Sequence, residues 1–189
     1  MKQLKFLCLA LTFVVTTVLS ADNNIRAVNF KFCVENSKLG KQEQAAFEAL
    51  KKQMETNLAE KEKSINELAA KFDDPDYLDS LSADAETELK RKLRSMSQDF
   101  SQLQNQYLQA LQQTNMKVVQ KLTEVVGKAS ATVAQRNQID FIVNDEATFF
   151  ATQSKDISQA VVGVMDEMFD KDSNLKETTV PTLPADTRK

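Results

Sequence analysis

ADAETELKRKLRSMSQDFSQLQNQYLQALQQTNMKVVQKLTEVVGKASATVAQR, residues 83–136, is the stretch from which the fold can be read. It holds no proline, and its one glycine is Gly127. Leu89, Leu93, Met96, Phe100, Leu103, Tyr107 and Ala110 recur at alternating steps of four and three. That average of about 3.5 belongs to a helix burying one narrow seam against another helix. At about 1.5 Å per residue such a helix reaches roughly 80 Å, more than the width of a domain this chain could build. Much of it must project from the body of the protein.

Working back toward the N-terminus, a first long helix is expected over 41–72. Phe47, Leu50, Met54, Leu58, Ile65, Leu68 and Phe72 supply its apolar face. Its eleven-residue spacing from Phe47 to Leu58 relaxes the supercoil that strict heptads impose. Asp73-Asp74-Pro75-Asp76 ends it, because proline disfavours the helical conformation at Asp74 and lacks a donor. Ser82 is a suitable N-cap for the second helix, with Asp84 and Glu86 in its first turns. The two helices form an antiparallel hairpin, the arm, over 41–136. Its tip carries only acids from Asp73 to Glu88, and Lys90, Arg91, Lys92 and Arg94 follow. Local pairing across the tip is the expected fate of these charges. An EF-hand would need alternating acids and a central glycine, which this stretch lacks.

The second helix outlasts the first, so its last third needs another partner. That third presents Val118, Val119, Leu122, Val125, Val126, Ala129 and Val133. Outside the arm, the alternation from Arg26 to Cys33 predicts a half-buried strand, followed by a polar turn over 35–40. Ile139-Asp140-Phe141-Ile142-Val143 and residues 147–152 predict two more strands, the latter containing Phe149 and Phe150. Ser154 is the expected cap of a terminal amphipathic helix built on Ile157, Ala160, Val161, Val164, Met165 and Met168. These pieces, 21–40 and 137–170, make a small body. The segment 171–189, polar with Pro181 and Pro184, is expected to be a disordered tail. A body this small, interrupted by a long insertion and flanked by an uncovered valine face, implies an oligomer.

The 189 residues are 42% apolar and 27% charged, the composition of a folded chain. Residues 1–20 read as a secretory signal peptide: Lys2 and Lys5, an apolar run from Phe6 to Leu19, and small residues before Ala21. The run is short for a membrane span, the alternative being an uncleaved anchor. Removing the leader takes two of 24 basic residues and none of 27 acidic ones, leaving a formal charge of −5. That balance argues against nucleic acid as a partner. Histidine is absent, so the commonest general base is missing, and no glycine-rich loop or nucleophile motif stands out. The chain is expected to be no enzyme and to need no cofactor or metal. Cys33 alone survives cleavage. It reads as a small buried apolar residue, with pairing between chains as the other option.

The order of strand, long helical hairpin, strand at 139–143, a further strand at 147–152 and Ser154-Lys155-Asp156-Ile157 resembles the Skp/OmpH family of exported chaperones. The resemblance spans about 25–169 and is most specific from Gln138 to Ala160. It implies an α+β, mostly α fold: a small β-rich oligomerisation body bearing a long antiparallel coiled-coil hairpin arm, three copies assembling into a jellyfish-like homotrimer. It implies an ATP-independent holdase of the periplasm that encloses unfolded outer-membrane β-barrel proteins between its arms, with association to the outer membrane left open. The arms here are close to neutral and their tip is acidic, where relatives are often strongly basic. No residue is therefore carried over for lipopolysaccharide binding. Phe47, Met54, Met96, Phe100, Tyr107 and Met116 are the candidate client-binding residues, each with a place in the seam as its alternative role. The rival function is a structural or surface-associated coiled-coil protein of the envelope.

Overall fold

The computed structural model describes residues 24–181. The expected leader and its cleavage point, and the last eight residues of the tail, lie outside the described residues. The chain runs as β1 (Ile25–Val28), α1 (Phe30–Asn36), α2 (Lys38–Ala70), α3 (Pro75–Asp79), α4 (Ala83–Asn137), β2 (Phe141–Asn144), two 3-10 turns (Asp145–Ala147 and Gln153–Lys155), α5 (Ser158–Lys171) and α6 (Ser173–Lys176). This is the expected class, mostly α with a small β component. α2 and α4, of 33 and 55 residues, are the two sides of the long hairpin.

Along the arm the seam forms as its spacing predicts. Leu89, Leu93, Met96, Phe100, Leu103, Tyr107 and Ala110 are all half-buried, and Leu50, Met54 and Leu68 of α2 are buried. Asn57 Nδ2 donates across the seam to the Tyr107 hydroxyl at 3.2 Å. At the tip Asp74 caps α3, accepting from the backbone N–H groups of Asp76 and Tyr77, with Pro75 in the first helical position. Ser82 Oγ accepts from Ala85 N at 3.2 Å, the expected start of α4. The charge block pairs differently from expectation. Lys90 bonds Glu86 and Arg91 bonds Glu88. Both pairs lie within α4, because i,i+3 and i,i+4 neighbours on one helix meet without any loop having to be ordered.

The strand expected over 26–33 ends at Val28. Asn29 stops it: its backbone N–H donates to Ser158 Oγ at 2.8 Å, and its Oδ1 accepts from Phe32 N at 2.6 Å. An asparagine in that position caps a helix, so Phe30 and Phe32 lie on α1 and Cys33 becomes its buried residue. The expected turn over 35–40 shrinks to one residue. Ser37 ends α1 and caps α2, its Oγ accepting from Gly40 N at 3.1 Å. The elbow is tight: a Cβ on Gly40 would lie 1.8 Å from the Val34 carbonyl oxygen.

β1 and β2 pair in parallel, with Ile25 opposite Phe141 and Val28 opposite Asn144. The whole arm is the crossover between them. The strand expected over 147–152 does not form. That segment is extended between two 3-10 turns, and Phe149 and Phe150 stand fully exposed. It faces β1 across a hollow and makes no ladder with it, and a strand without a paired neighbour has no backbone hydrogen bonds to hold it. Ser154 does not cap the last helix either. Asp156 does the equivalent work, its Oδ1 accepting from Ser158 N at 2.8 Å.

α5 covers the valine-rich third of α4. Val118, Leu122, Val125, Val126, Ala129 and Val133 form one core with Val161, Val162, Val164 and Met165. The covering partner expected from another chain is supplied by this one, and only Val119 stays 45% exposed. The expectation of disorder from 171 onward also fails for the described part. α6 follows α5, and Val180 is buried in the core at 6% exposure. Polar composition concealed this because a single apolar anchor and a few backbone bonds suffice to seat a short segment.

Gly40→Ala should lower stability by about 3 kcal/mol, since the added methyl meets backbone that cannot move aside. Gly127→Ala, which meets nothing within 4 Å, should raise it by up to about 1 kcal/mol through helix propensity. Urea unfolding followed by circular dichroism measures both.

Candidate functional site

The residues expected to hold a client separate into three environments. Met54 is 2% exposed and sealed in the seam, so it packs the arm and is no contact surface. Met96, Phe100 and Tyr107 are half-buried along the same seam. Phe47 lines a groove of about 330 Å³ between α1, α2 and the root of α4, with Phe30, Val34, Val118, Val119 and Leu122 as its apolar neighbours. Met116 is 63% exposed on α4. Leu108, not singled out from the sequence, joins it at 58%, as does Val119, expected in the valine-rich face, at 45%. At 100° per residue these three fall within about a quarter turn of each other. They form a sparse apolar stripe that the hairpin partner does not cover. The signal in the sequence was their position off the seam: an apolar side chain outside the three-four repeat has no partner in a two-helix arm.

At the other end of the molecule Ile25 and Phe141 are also exposed, and Ile25 and Phe150 line one hollow beside the sheet. Behind it lies a polar knot. Ser158 Oγ takes the N–H of Asn29 and donates to Asp156 Oδ1, while Asn29 Nδ2 donates to Asp145. Cys33 is buried against this knot, its Sγ 3.9 Å from the Ser158 carbonyl oxygen. Burial, and then the negative charges of Asp156 and Asp145, push its thiol up to about 11. A thiol so disfavoured as thiolate is a poor nucleophile.

Sequence reasoning missed one charged site altogether. Glu43 is completely buried at the root of the arm. Its carboxylate accepts from Lys121 Nζ at 2.8 Å, from Thr178 Oγ1 at 3.0 Å and from the backbone N–H of Thr179. Burial pushes the carboxyl upward, but the bonds from Lys121, Thr179 and Thr178 outweigh it and hold the group below its ordinary value. The pair was legible in principle. Glu43 precedes Phe47, Leu50 and Met54 at seam spacing, and Lys121 follows Thr114 and Val118 in the same way, so each helix places a charge where an apolar residue belongs. Among the described residues no group of His, Cys, Asp or Glu side chains could hold a metal ion, and no helix is long and apolar enough to cross a membrane.

Comparison with known proteins bears on the same architecture. Residues 24–165 match the family of OmpH-like outer membrane proteins. The chain belongs to that family. A Skp-like protein of Chlamydia muridarum is 34% identical to this OmpH-like chain over 168 residues, covering 87% of it and 97% of the relative. A Skp-like protein of Chlamydia pneumoniae is 33% identical over 171 residues, covering 90% and 99%. Among solved structures, a Caulobacter crescentus protein assigned as an OmpH-like outer membrane chaperone superposes with a TM-score of 0.69 over 76% of this chain and 84% of its own. At 17% identity that likeness speaks for the fold.

Replacing Glu43 by Ala leaves Lys121 facing a cavity at only 17% side-chain exposure, and should cost about 3 kcal/mol. Because the Glu43 carboxyl sits below its ordinary 4.5 when folded, its contribution is present above that value and lost as pH falls through the folded-state one. Thermal melts of the wild type and of Glu43→Gln should therefore converge as pH drops below about 4.5, and differ at pH 7.

Proposed function

We propose that this OmpH-like chain is an ATP-independent holdase of the periplasm that receives unfolded outer-membrane β-barrel proteins. The observation that carries the reading is the arm itself. It is a long two-helix rod with a half-buried seam and an uncovered stripe at Leu108, Met116 and Val119. Between its root core and the tip most of its apolar residues are only half-buried. Apolar side chains at partial exposure on a stiff rod suit weak, repeated contact with many sequences. Methionine, at Met96 and Met116, adapts to varied partners. An unfolded β-barrel strand offers apolar residues at every second position, which such a stripe can meet without a fixed register.

The working unit is a homotrimer whose body comprises residues 21–40 and 137–170. What supports an assembly is the exposed apolar edge: Phe149, Phe150, Phe141 and Ile25 beside a sheet of two strands. Exposed aromatic surface next to an unpaired strand edge favours pairing with another chain. The number three follows from the family resemblance. In this arrangement residues 147–152 find in a neighbouring copy the ladder that a single chain does not provide.

Multi-angle light scattering of the mature protein should give the mass of three chains at micromolar concentration, and a folded monomer would overturn the assembly. Deleting residues 58–103, outside the root core, should leave that oligomer intact and weaken suppression of aggregation of an unfolded β-barrel protein, and the further changes Leu108→Ser, Met116→Ser and Val119→Ser should abolish what remains. If the full-length protein fails to suppress that aggregation and only a fixed envelope partner is recovered from pull-downs, the protein is a spacer and not a holdase.

The grip should be apolar more than ionic. Residues 41–138 carry 14 basic and 15 acidic side chains, a net charge of −1, so the arm does not attract an acidic client from a distance. Raising salt from about 0.05 M to about 0.5 M shrinks the Debye length to a few Å, and client affinity should change less than tenfold. A hundredfold fall would show that the basic run from Lys90 to Arg94 dominates.

A further inference from the structure

The chain beyond α5 does something that neither the arm nor the assembly body requires. The family match ends at residue 165, yet the described chain continues to residue 181 and stays attached. From the end of α5 it crosses both helices of the arm at their root. On α2, Gln42 Nε2 reaches the Leu175 carbonyl oxygen at 3.4 Å, and the buried Glu43 carboxylate takes Thr178 Oγ1 and the Thr179 N–H. On α4, Lys121 Nζ donates to the Glu177 carbonyl oxygen at 2.7 Å while also holding Glu43. Val180 sinks into the core next to these bonds. On the side of α5, Lys176 Nζ donates to the Asp170 carbonyl oxygen, and Lys38 at the start of α2 pairs with Asp170. One short segment thus bonds to α2, α4 and the end of α5 together, at the place where the arm leaves the body.

We propose that residues 173–181 are a strap that restricts the swing of the arm on the body, and so sets how far the arms of an assembly can part. From Lys121 to its start at Ala83, α4 runs as a lever of about 40 residues, so a small rotation at Glu43 and Lys121 becomes a large displacement at the tip. A splayed arm would pull α2 and α4 away from the end of α5, and the strap spans that gap with both ends held. Its anchors are a buried charge pair and one buried valine, strong enough to persist and few enough to release together. The consequence for client size rests on the holdase reading above; the restriction of arm motion does not.

The test uses the full chain with Ser80→Cys at the tip and Gln159→Cys on α5, both exposed positions, spin-labelled and diluted with unlabelled chains so that each assembly carries one labelled copy. Cys8 of the expected leader is replaced by Ser, and Cys33, buried and with its thiol held neutral, escapes the label. Double electron–electron resonance then gives the tip-to-body distance distribution with no client present. The distribution should at least double in width in a chain ending at Asp172, and likewise in the full-length double variant Thr178→Ala, Val180→Ser, which unseats the strap without removing it. Should the shortened chain fail to fold, the double variant decides. A width unchanged from the parent, in a variant that keeps its helical circular dichroism, overturns the strap. Failure to bind clients would leave this result untouched and count against the holdase alone.

Discussion

A helix of 55 residues cannot be buried along its length by a chain of this size, and the rest of the molecule follows from how α4 divides its apolar face between two partners. Over its first half the face is narrow, and α2 meets it one seam residue at a time. Over its last third it widens to Val118, Leu122, Val125, Val126, Ala129 and Val133, and a second helix, α5, closes over it. Each such side chain stabilises the fold by roughly 2 kcal/mol when taken out of water, so the root is where stability concentrates. Toward the tip the α4 side of the seam is only half-buried, which leaves its apolar character within reach of a partner.

The polar groups at the root enforce this division. Asn29 and Ser158 join the strand end to the start of α5, and Asp156 holds Ser158 in turn. Glu43 and Lys121 sit one on each arm helix, in seam positions, and the segment after α5 closes over them. A buried ion pair adds little to stability compared with apolar residues of like volume, but separating its members is costly. Such a pair therefore selects one register of α2 against α4. Gly40 acts in the same sense by letting α1 fold back onto the start of α2 with its backbone in contact.

The body, by contrast, is unfinished. Two short parallel strands, an extended segment with two bare phenylalanines and an uncovered edge make a surface that a single copy does not satisfy. Helical rods can satisfy their backbone hydrogen bonds alone, whereas a small sheet cannot. On the proposed assembly, the arms are made within a chain and the body between chains.

The long helices, their antiparallel pairing, the cap at Ser82 and the seam from Leu89 to Ala110 were determined by sequence alone, because a helix reports its own period over many turns and closes its bonds locally. Short elements were decided only in three dimensions. Seven residues from Phe30 to Asn36 are too few for a period of 2 to be told from one of 3.6, and Asn29 settled the matter by capping a helix with bonds to α5's neighbourhood. Residues 147–152 have strand composition, but a strand exists only where a partner lies beside it. Val118 to Val133 was visible as a face needing cover, yet that α5 of the same chain supplies it depended on where the chain returned after β2. The strap was hidden for the same reason: its hold on Glu43 comes from residues 135 positions away, and no local pattern records a contact made across that distance.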